Sequence, residues 1–456
     1  MTDDAIPERG EPLDFTVQSL GPRRHPSPML SGTKSGSPET VFFTDARREV
    51  FDTDWDRLRQ IIERGGTLPT LELAGPRRKL FWKPGDVRAA IVTAGGLCPG
   101  INNVVRALVL TLFWHYGVED VLGLRYGLRG FVAEDTPPLR LTPELVRNVH
   151  HQGGSLLGSS RGGPQASEIV DVIERERIRL LFMIGGDGTQ KSALEIARSA
   201  RARGVDVSVI GIPKTVDNDI PFVDLTFGFT TAVDQARDVV DAAHAEAQGA
   251  FNGIGLVRLM GRNAGFIAAH AALASGEANF VLIPEVPFDL TGPRGFLARL
   301  ERRIEERRHA VIVAAEGAGQ QYLAQEQKTL GHDESGNVRL ADVGTFLSRR
   351  IRGHFDAAGV PVTLKYIDPG YTIRSAIANG FDAIYCQRLA QSAVHAAMAG
   401  KTEMLVGRMH GRIVHVPSRE VVKRSKRVRP DRQLWRAVLQ STGQPARMVE
   451  DEARAP

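Results

Sequence analysis

Two acidic loops carry the residues best suited to chemistry. Gly185-Gly186-Asp187-Gly188-Thr189 directly follows the apolar run Leu180 to Ile184, and Pro213-Lys214-Thr215-Val216-Asp217-Asn218-Asp219 closes the next apolar run. A carboxylate at the tip of a glycine turn is costly unless it caps a helix or meets a cation. Beside amides that can cradle a phosphate, Asp187 suits Mg2+, which prefers one carboxylate plus phosphate oxygens and water. Asp217 and Asp219 are two apart, so an extended loop turns both toward one side. Transfer of a phosphoryl group to an alcohol needs a base for the hydroxyl proton and cations for the charge building on the phosphoryl oxygens. Asp217 suits the first task, Lys214 and magnesium the second. Taken alone, Asp187 could be a simple helix cap and the DND triplet a surface turn.

A third loop, Gly95-Gly96-Leu97-Cys98-Pro99-Gly100, also sits between a strand pattern and a helix pattern. Its amides and the following helix N-terminus attract anions, although the spacing is that of neither a dinucleotide fingerprint nor a P-loop. Three such loops at the carboxyl ends of neighbouring strands outweigh the bland reading of any one, because open α/β sheets bind ligands at that edge. Candidate anion clamps follow at Ser160-Arg161-Gly162-Gly163, Met260-Gly261-Arg262 and Tyr371-Thr372-Ile373-Arg374, and Glu316 is a candidate acceptor for sugar hydroxyls. An isolated arginine of this kind is more often a plain surface charge.

The elements that must position these loops alternate strand and helix. Val87 to Ala94 reads as a buried strand, Ile101 to Gly117 as a helix, Val121 to Gly127 as a strand and Leu141 to Gly154 as a helix capped by Thr142. The strand running into Gly185 precedes a helix, and Val207 to Pro213 is a strand ahead of a helix from about Thr230 to Gln248. Further strands are expected at 251–261, 278–285 and 309–317. Residues 323–341 read as a surface loop, and a short helical pattern covers Trp55 to Glu63. The basic tail beginning Ser418-Arg419-Glu420 reads as a solvated or subunit-facing helix. The pattern predicts parallel sheets with helices on both faces.

Length and composition agree. The 456 residues are enough for two packed lobes, and 42% apolar with 24% charged residues is the balance of a globular enzyme. A net charge of +5 is small, and no finger, zipper or RNA-reading motif argues for nucleic acid. No run reaches a membrane span, and the acidic N-terminus lacks a signal peptide's apolar core. Two cysteines, Cys98 and Cys386, exclude a disulfide framework, so a cytoplasmic enzyme is expected.

From about Val87 to Ser418 the ordered motifs GGLCPG, GGDGTQ, PKTVDND, LMGR and YTIR resemble the phosphofructokinase family, most closely its long ATP-dependent forms. The resemblance implies an α/β fold of two Rossmann-like lobes with parallel sheets. It implies a nucleotide lobe at 86–228 with a segment returning near 370–400, and a sugar-phosphate lobe at 229–369 plus 401–418. An N-terminal extension (1–85) and a C-terminal tail (419–456) flank them. Its implied reaction is phosphorylation of fructose 6-phosphate by ATP at the 1-hydroxyl. Gly95, Arg161, Gly162, Gly186, Asp187, Gly188 and Thr189 would meet the nucleotide phosphates, Asp187 also holding Mg2+. Asp217 would be the base, positioned by Thr215 and Asp219, with Lys214 and Arg262 aiding transfer. Thr215, Val216, Asp217, Met260, Gly261, Arg262, Glu316, Tyr371, Thr372, Ile373 and Arg374 would line the sugar-phosphate site. Pyrophosphate-using relatives usually carry aspartate where Gly188 stands, so glycine favours ATP, although Lys214 is shared with them. The same resemblance implies a homodimer or homotetramer. A non-catalytic sugar-phosphate-binding subunit would be expected to have lost Asp187 or Asp217, and a lipid or NAD kinase would lack the PKTVDND and MGR loops.

Overall fold

The computed structural model describes residues 13–30, 42–332 and 338–450. The extreme N-terminus, part of the expected extension, part of the 323–341 loop and the last six residues lie outside the described residues.

Two sheets form the frame. The larger has nine strands, in the order Arg48–Val50, Thr70–Leu73, Arg412–Pro417, Met404–Met409, Ser208–Pro213, Ile178–Gly185, Arg88–Thr93, Asp120–Leu124 and Leu139–Arg140. Its five central strands, from Met404–Met409 to Asp120–Leu124, run parallel, and the flanking pairs are antiparallel. The smaller sheet is parallel throughout: Phe280–Leu282, His309–Ala315, Gly253–Leu259 and Thr363–Ile367. Every residue of Ser208–Pro213 is buried, as expected of a central strand covered on both faces.

Helices cover both faces of each sheet. Ala166–Arg175 and Asp187–Ala202 close one face of the larger sheet over Val92, Leu181 and Val209. Phe296–Arg307 and Val343–Ala357 close the outer face of the smaller sheet over Leu256 and Ile312. Between the lobes lies one continuous apolar cluster. It joins Ile91, Phe182 and Ile212 of the larger sheet to Val257 and Val313 of the smaller through the helices Ile101–Tyr116, Phe229–Gly249, Phe266–Ser275 and Gly380–Met398. Gly228 opens the second of these helices at φ 89°, where a Cβ would meet Cys98 Sγ at 2.1 Å, so the approach of the two segments requires glycine.

Most predicted elements are present, and Trp55–Glu63 has the expected bounds. Four expectations change. Residues 142–151 form turns and a 3-10 segment rather than an α-helix. Thr142 does cap, its Oγ1 accepting from Leu145 N at 3.2 Å, but after one i→i+4 bond the backbone tightens to i→i+3 bonds. The segment 323–341 contains a helix at Ala324–Leu330. Residues 401–418, expected with the smaller lobe, form two strands of the larger sheet. Gly380–Met398 packs along Ile101–Tyr116, and the chain then pairs Met404–Met409 with the exposed edge of Ser208–Pro213, satisfying backbone groups left open there. The basic tail is helical over Ser418–Val421, then runs through turns and irregular backbone to 432, and later forms the helix Gln433–Thr442.

The described part of the N-terminal extension packs on its own chain. Phe15 packs edge-on and Phe51 tilted against Phe222, at centroid distances of 5.4 and 5.5 Å, just beyond the DND loop. Strand Thr70–Leu73 is secured by a buried ion cluster in which Glu72 meets Arg77 at 2.7 Å, Lys401 at 2.9 Å and His415 at 3.1 Å. The tail leaves the larger lobe at Ser418–Val421 and ends on the smaller one. There Trp435 is buried, and Gln444 bonds to Val281 through both its amide oxygen and nitrogen. Among the described residues no helix is long and apolar enough to cross a membrane.

Candidate active site

The three predicted loops leave the carboxyl ends of three adjacent strands and are fastened to each other. Ala94 N donates to Ile184 O and Lys214 N to Gly185 O, both at 3.0 Å, which continues the sheet into the loops. Lys214 then reaches back, its Nζ donating to the carbonyl of Gly96 at 2.5 Å. Gly95 takes φ 85° and donates its N–H to Ser160 O at 3.0 Å, bringing the Arg161-Gly162 turn to the same edge. A Cβ on Gly95 would sit 3.6 Å from the Lys214 ammonium, so the bare glycine keeps the ground beside that charge open.

The smaller lobe presents its own strand ends. Met260-Gly261-Arg262 follows Gly253–Leu259, and Glu316 follows His309–Ala315. The two turns are tied by Glu316 N to Leu259 O at 2.8 Å and Gly317 N to Gly261 O at 3.1 Å. The short helix Gly370–Arg374 follows Thr363–Ile367, and Arg374 Nε points to Met260 Sδ at 3.1 Å. Arg374 and the backbone N–H of Arg262 both act on Asp217, so groups of the smaller lobe meet the acidic loop of the larger.

The acidic loop is shaped by its own polar groups. Thr215 Oγ1 accepts from Asp217 N at 3.1 Å, Thr226 Oγ1 donates to Thr215 O at 2.6 Å, and Asn218 Oδ1, from a residue at φ 56°, accepts from Thr226 N at 3.0 Å. Asp217 and Asp219 are partly exposed as whole residues, yet each has one carboxylate oxygen sealed from solvent with no hydrogen-bond partner. Burial, then the neighbouring Asp219 and Glu316, push the Asp217 carboxyl up to about 8, against the pull of Arg374 and the Arg262 amide. Burial also raises Asp219. Its bond with Thr215 and the charge of Lys426 oppose that rise, while Asp187 adds to it. Lys214 is displaced downward, first by burial and then by Arg374 and Arg161. Carboxylates held above their ordinary range on a loop that also carries a buried ammonium suit a proton-accepting, anion-binding cleft.

Asp187 opens the helix Asp187–Ala202 and pairs with Lys191 at 2.8 Å. It is close enough to act on Asp219, so the two acidic loops share one field. A Cβ on Gly188 would meet nothing within 4 Å, and the residue is exposed. Thr189 is buried against Gly185, and Gly186 faces the Lys214 carbonyl. Arg161, Gly162, Tyr371 and Thr372 are exposed, whereas Val216 and Ile373 turn into the core and offer the cleft only backbone. Arg262 Nη1 donates to Val338 O at 2.7 Å. Among the described residues no group of three or more His, Cys, Asp or Glu could hold a metal. A divalent cation here would therefore depend on ligand oxygens as well as protein. The unpartnered Asp217 and Asp219 oxygens and the exposed Asp187 carboxylate fit that need.

Sequence reading missed Arg258. Its guanidinium meets Glu316 at 2.9 Å, pairs with Asp368 and lies 3.9 Å from Asp342, so it sets the direction of the Glu316 carboxylate. The available signal was a lone charge inside the apolar strand Gly253–Leu259.

Fold and site together define a two-lobed α/β phosphotransferase, with loops from both sheets facing a shared acidic and basic cleft. The phosphofructokinase profile matches residues 88–397, and the chain belongs to the phosphofructokinase family. It is 46% identical over 452 residues to an ATP-dependent 6-phosphofructokinase of Borreliella burgdorferi, covering 96% of this chain and 99% of that one. An Amycolatopsis methanolica protein of the same description is also 46% identical, with 97% of each chain covered. A chloroplastic form from Arabidopsis thaliana matches at 46% over 88% of this chain and 72% of its own. Among solved structures, a pyrophosphate-dependent phosphofructokinase from Marinobacter aquaeolei superposes with a TM-score of 0.64 at 24% identity, over 78% of this chain and 91% of that one. The Saccharomyces cerevisiae phosphofructokinase gives 0.59 at 23%, over 78% and 47%. These two share the fold.

Proposed function

We infer that the chain is an ATP-dependent 6-phosphofructokinase, moving the γ-phosphoryl group of ATP to the 1-hydroxyl of fructose 6-phosphate to give fructose 1,6-bisphosphate and ADP. The observation that carries this reading is the unpartnered, solvent-sealed Asp217 oxygen, on the loop that also carries Lys214, with Arg374 and the Arg262 amide of the other lobe acting on it. Asp217 takes the hydroxyl proton, and its raised affinity for protons suits a group that must accept one near neutral pH. Thr215 and Asp219 hold it in place, and Lys214 and Arg262 offset charge on the transferring group.

Gly95, Arg161, Gly162, Gly186, Gly188 and Thr189 form the nucleotide side. Asp187 is the residue to hold Mg2+, which when bound would screen the phosphate charge. Met260, Gly261, Arg262, Glu316 and the 371–374 turn form the sugar-phosphate side, Glu316 accepting from hydroxyls and the arginines binding phosphate. The open space at Gly188 supports ATP as donor.

A homodimer or homotetramer belongs to this proposal. Tyr371, Ile377, Phe381 and Ile384 leave an apolar stripe exposed beside the site, Tyr371 at 91%. So does a cytoplasmic location, which the two free, buried cysteines suit. The test is fructose 1,6-bisphosphate formation by the purified protein from fructose 6-phosphate with either ATP or pyrophosphate. Turnover with ATP is expected. Turnover with pyrophosphate alone would reverse the donor assignment, and product with neither would sink the reaction.

A further inference from the structure

The C-terminal tail contains a lysine whose surroundings are unlike those of a solvated basic run. Lys426 is 3% exposed while Arg427 beside it faces solvent. Its Nζ donates to the carbonyls of Val223 and Asp224 at 3.0 and 2.9 Å, and its backbone N–H donates to the carbonyl of Asp219 at 3.0 Å. One residue therefore grips the acidic loop at its end and again four and five residues on. The ammonium also lies 5.2 Å from the ring centroid of Phe266, the first residue of a smaller-lobe helix. Two residues later Val428 N donates to Glu285 Oε1 at 2.8 Å. Glu285 in turn accepts from Gly265 N, at 3.0 and 3.1 Å to its two oxygens, at the N-terminus of that same helix. That helix follows the Met260-Gly261-Arg262 turn, so the strap touches the segments leading out of both halves of the cleft.

We propose that Lys426 is a positioning residue for phosphoryl transfer. It fixes the Lys214–Asp219 loop from behind, and with the Val428–Glu285 link it sets that loop against the Met260–Arg262 turn. Its ammonium donates to two main-chain carbonyls, which fits a role in holding backbone geometry. The same charge draws Asp219 down against its burial, so geometry and electrostatics act on one loop. Lysine suits the site because a compact ammonium on a flexible stem can divide its three donors between two carbonyls and an aromatic face.

This inference rests on the assignment of Asp217 as base, and the experiment separates the two. Wild-type, Lys426→Met, Lys426→Arg and Glu285→Gln enzymes are assayed with ATP and fructose 6-phosphate, and amide hydrogen exchange is followed over residues 214–226. Lys426→Met is expected to lower kcat about tenfold or more, since small misplacements of reacting groups are costly, while KM for both substrates moves by less than about threefold. Exchange in 214–226 should rise, Lys426→Arg should recover part of kcat, and Glu285→Gln should show a smaller loss in the same direction. If Lys426→Met does not fold, Glu285→Gln alone decides, through kcat and exchange. Unchanged kcat and exchange in the folded variants overturn the proposal. A wild-type enzyme without turnover would instead overturn the reading of the reaction.

Discussion

Replacing Asp217 by asparagine should stabilise the protein while disabling it, and the size of the first effect follows from the environment of the carboxyl group. In the folded chain burial, Asp219 and Glu316 hold this group near 8, whereas its ordinary value is 3.8. Between those values the unfolded chain releases the proton and the folded chain keeps it, so stability falls as pH rises from about 4 to about 8. By pH 7 the gap spans about three pH units at about 1.4 kcal/mol each, on the order of 4 kcal/mol. Asparagine keeps the shape and has no such slope. With an unfolding entropy of about 2 cal/mol/K per residue, a chain of this length changes by about 1 kcal/mol per degree, so the difference in Tm at pH 7 is about 4 °C. Thermal unfolding without ligands, at steps from pH 5 to pH 8, should show the asparagine variant and the wild type close together in acid and separating as pH rises. The same variant should lose about a hundredfold or more in kcat. Parallel Tm curves would mean that Asp217 is already ionised in the free protein, and the argument that burial tunes the base would fail.

Other substitutions probe the remaining parts of the cleft. Gly188→Asp meets no steric bar at its Cβ, so the fold should survive while the added charge repels the nucleotide. A fall in kcat/KM for ATP of about tenfold or more is expected, like charges in contact costing at least about 1.4 kcal/mol, and undiminished ATP use would refute the donor argument. Arg262→Ala should raise KM for fructose 6-phosphate about tenfold or more, from the lost charge-assisted bond, and also lower kcat, because the same guanidinium offsets charge on the transferring group. Arg258→Met leaves Glu316 and Asp368 without their shared partner. It should raise the same KM several-fold through misdirection of Glu316, and an unaltered KM would show that Glu316 orients without it.

The acidic loops could be read from sequence because each places carboxylates directly after an apolar run, and such a junction has few other uses. The lobes were legible because burial of a parallel strand on both faces leaves an unbroken apolar run, as in Ser208–Pro213. What depended on distant partners was not legible. Met404–Met409 joins the larger sheet only because the edge of Ser208–Pro213 is free when the chain returns, and nothing local states this. Residues 142–151 carry a capping threonine and apolar spacing, yet the turn tightens after its first bond. Lys426 sits in a basic run that composition assigns to solvent. Its burial is decided by carbonyls about two hundred positions earlier.

The continuous apolar cluster between the sheets has a practical consequence for anyone who would divide this chain. Each half borrows a segment from beyond the other, with Met404–Pro417 returning to the larger sheet and Gln433–Thr442 closing on the smaller. A cut near Gly228 would leave the first piece without Met404–Pro417 and the second carrying those strands with no sheet to join, each exposing a broad greasy wall. Neither piece should be recovered soluble when expressed separately, while coexpression of the pair could restore a working whole.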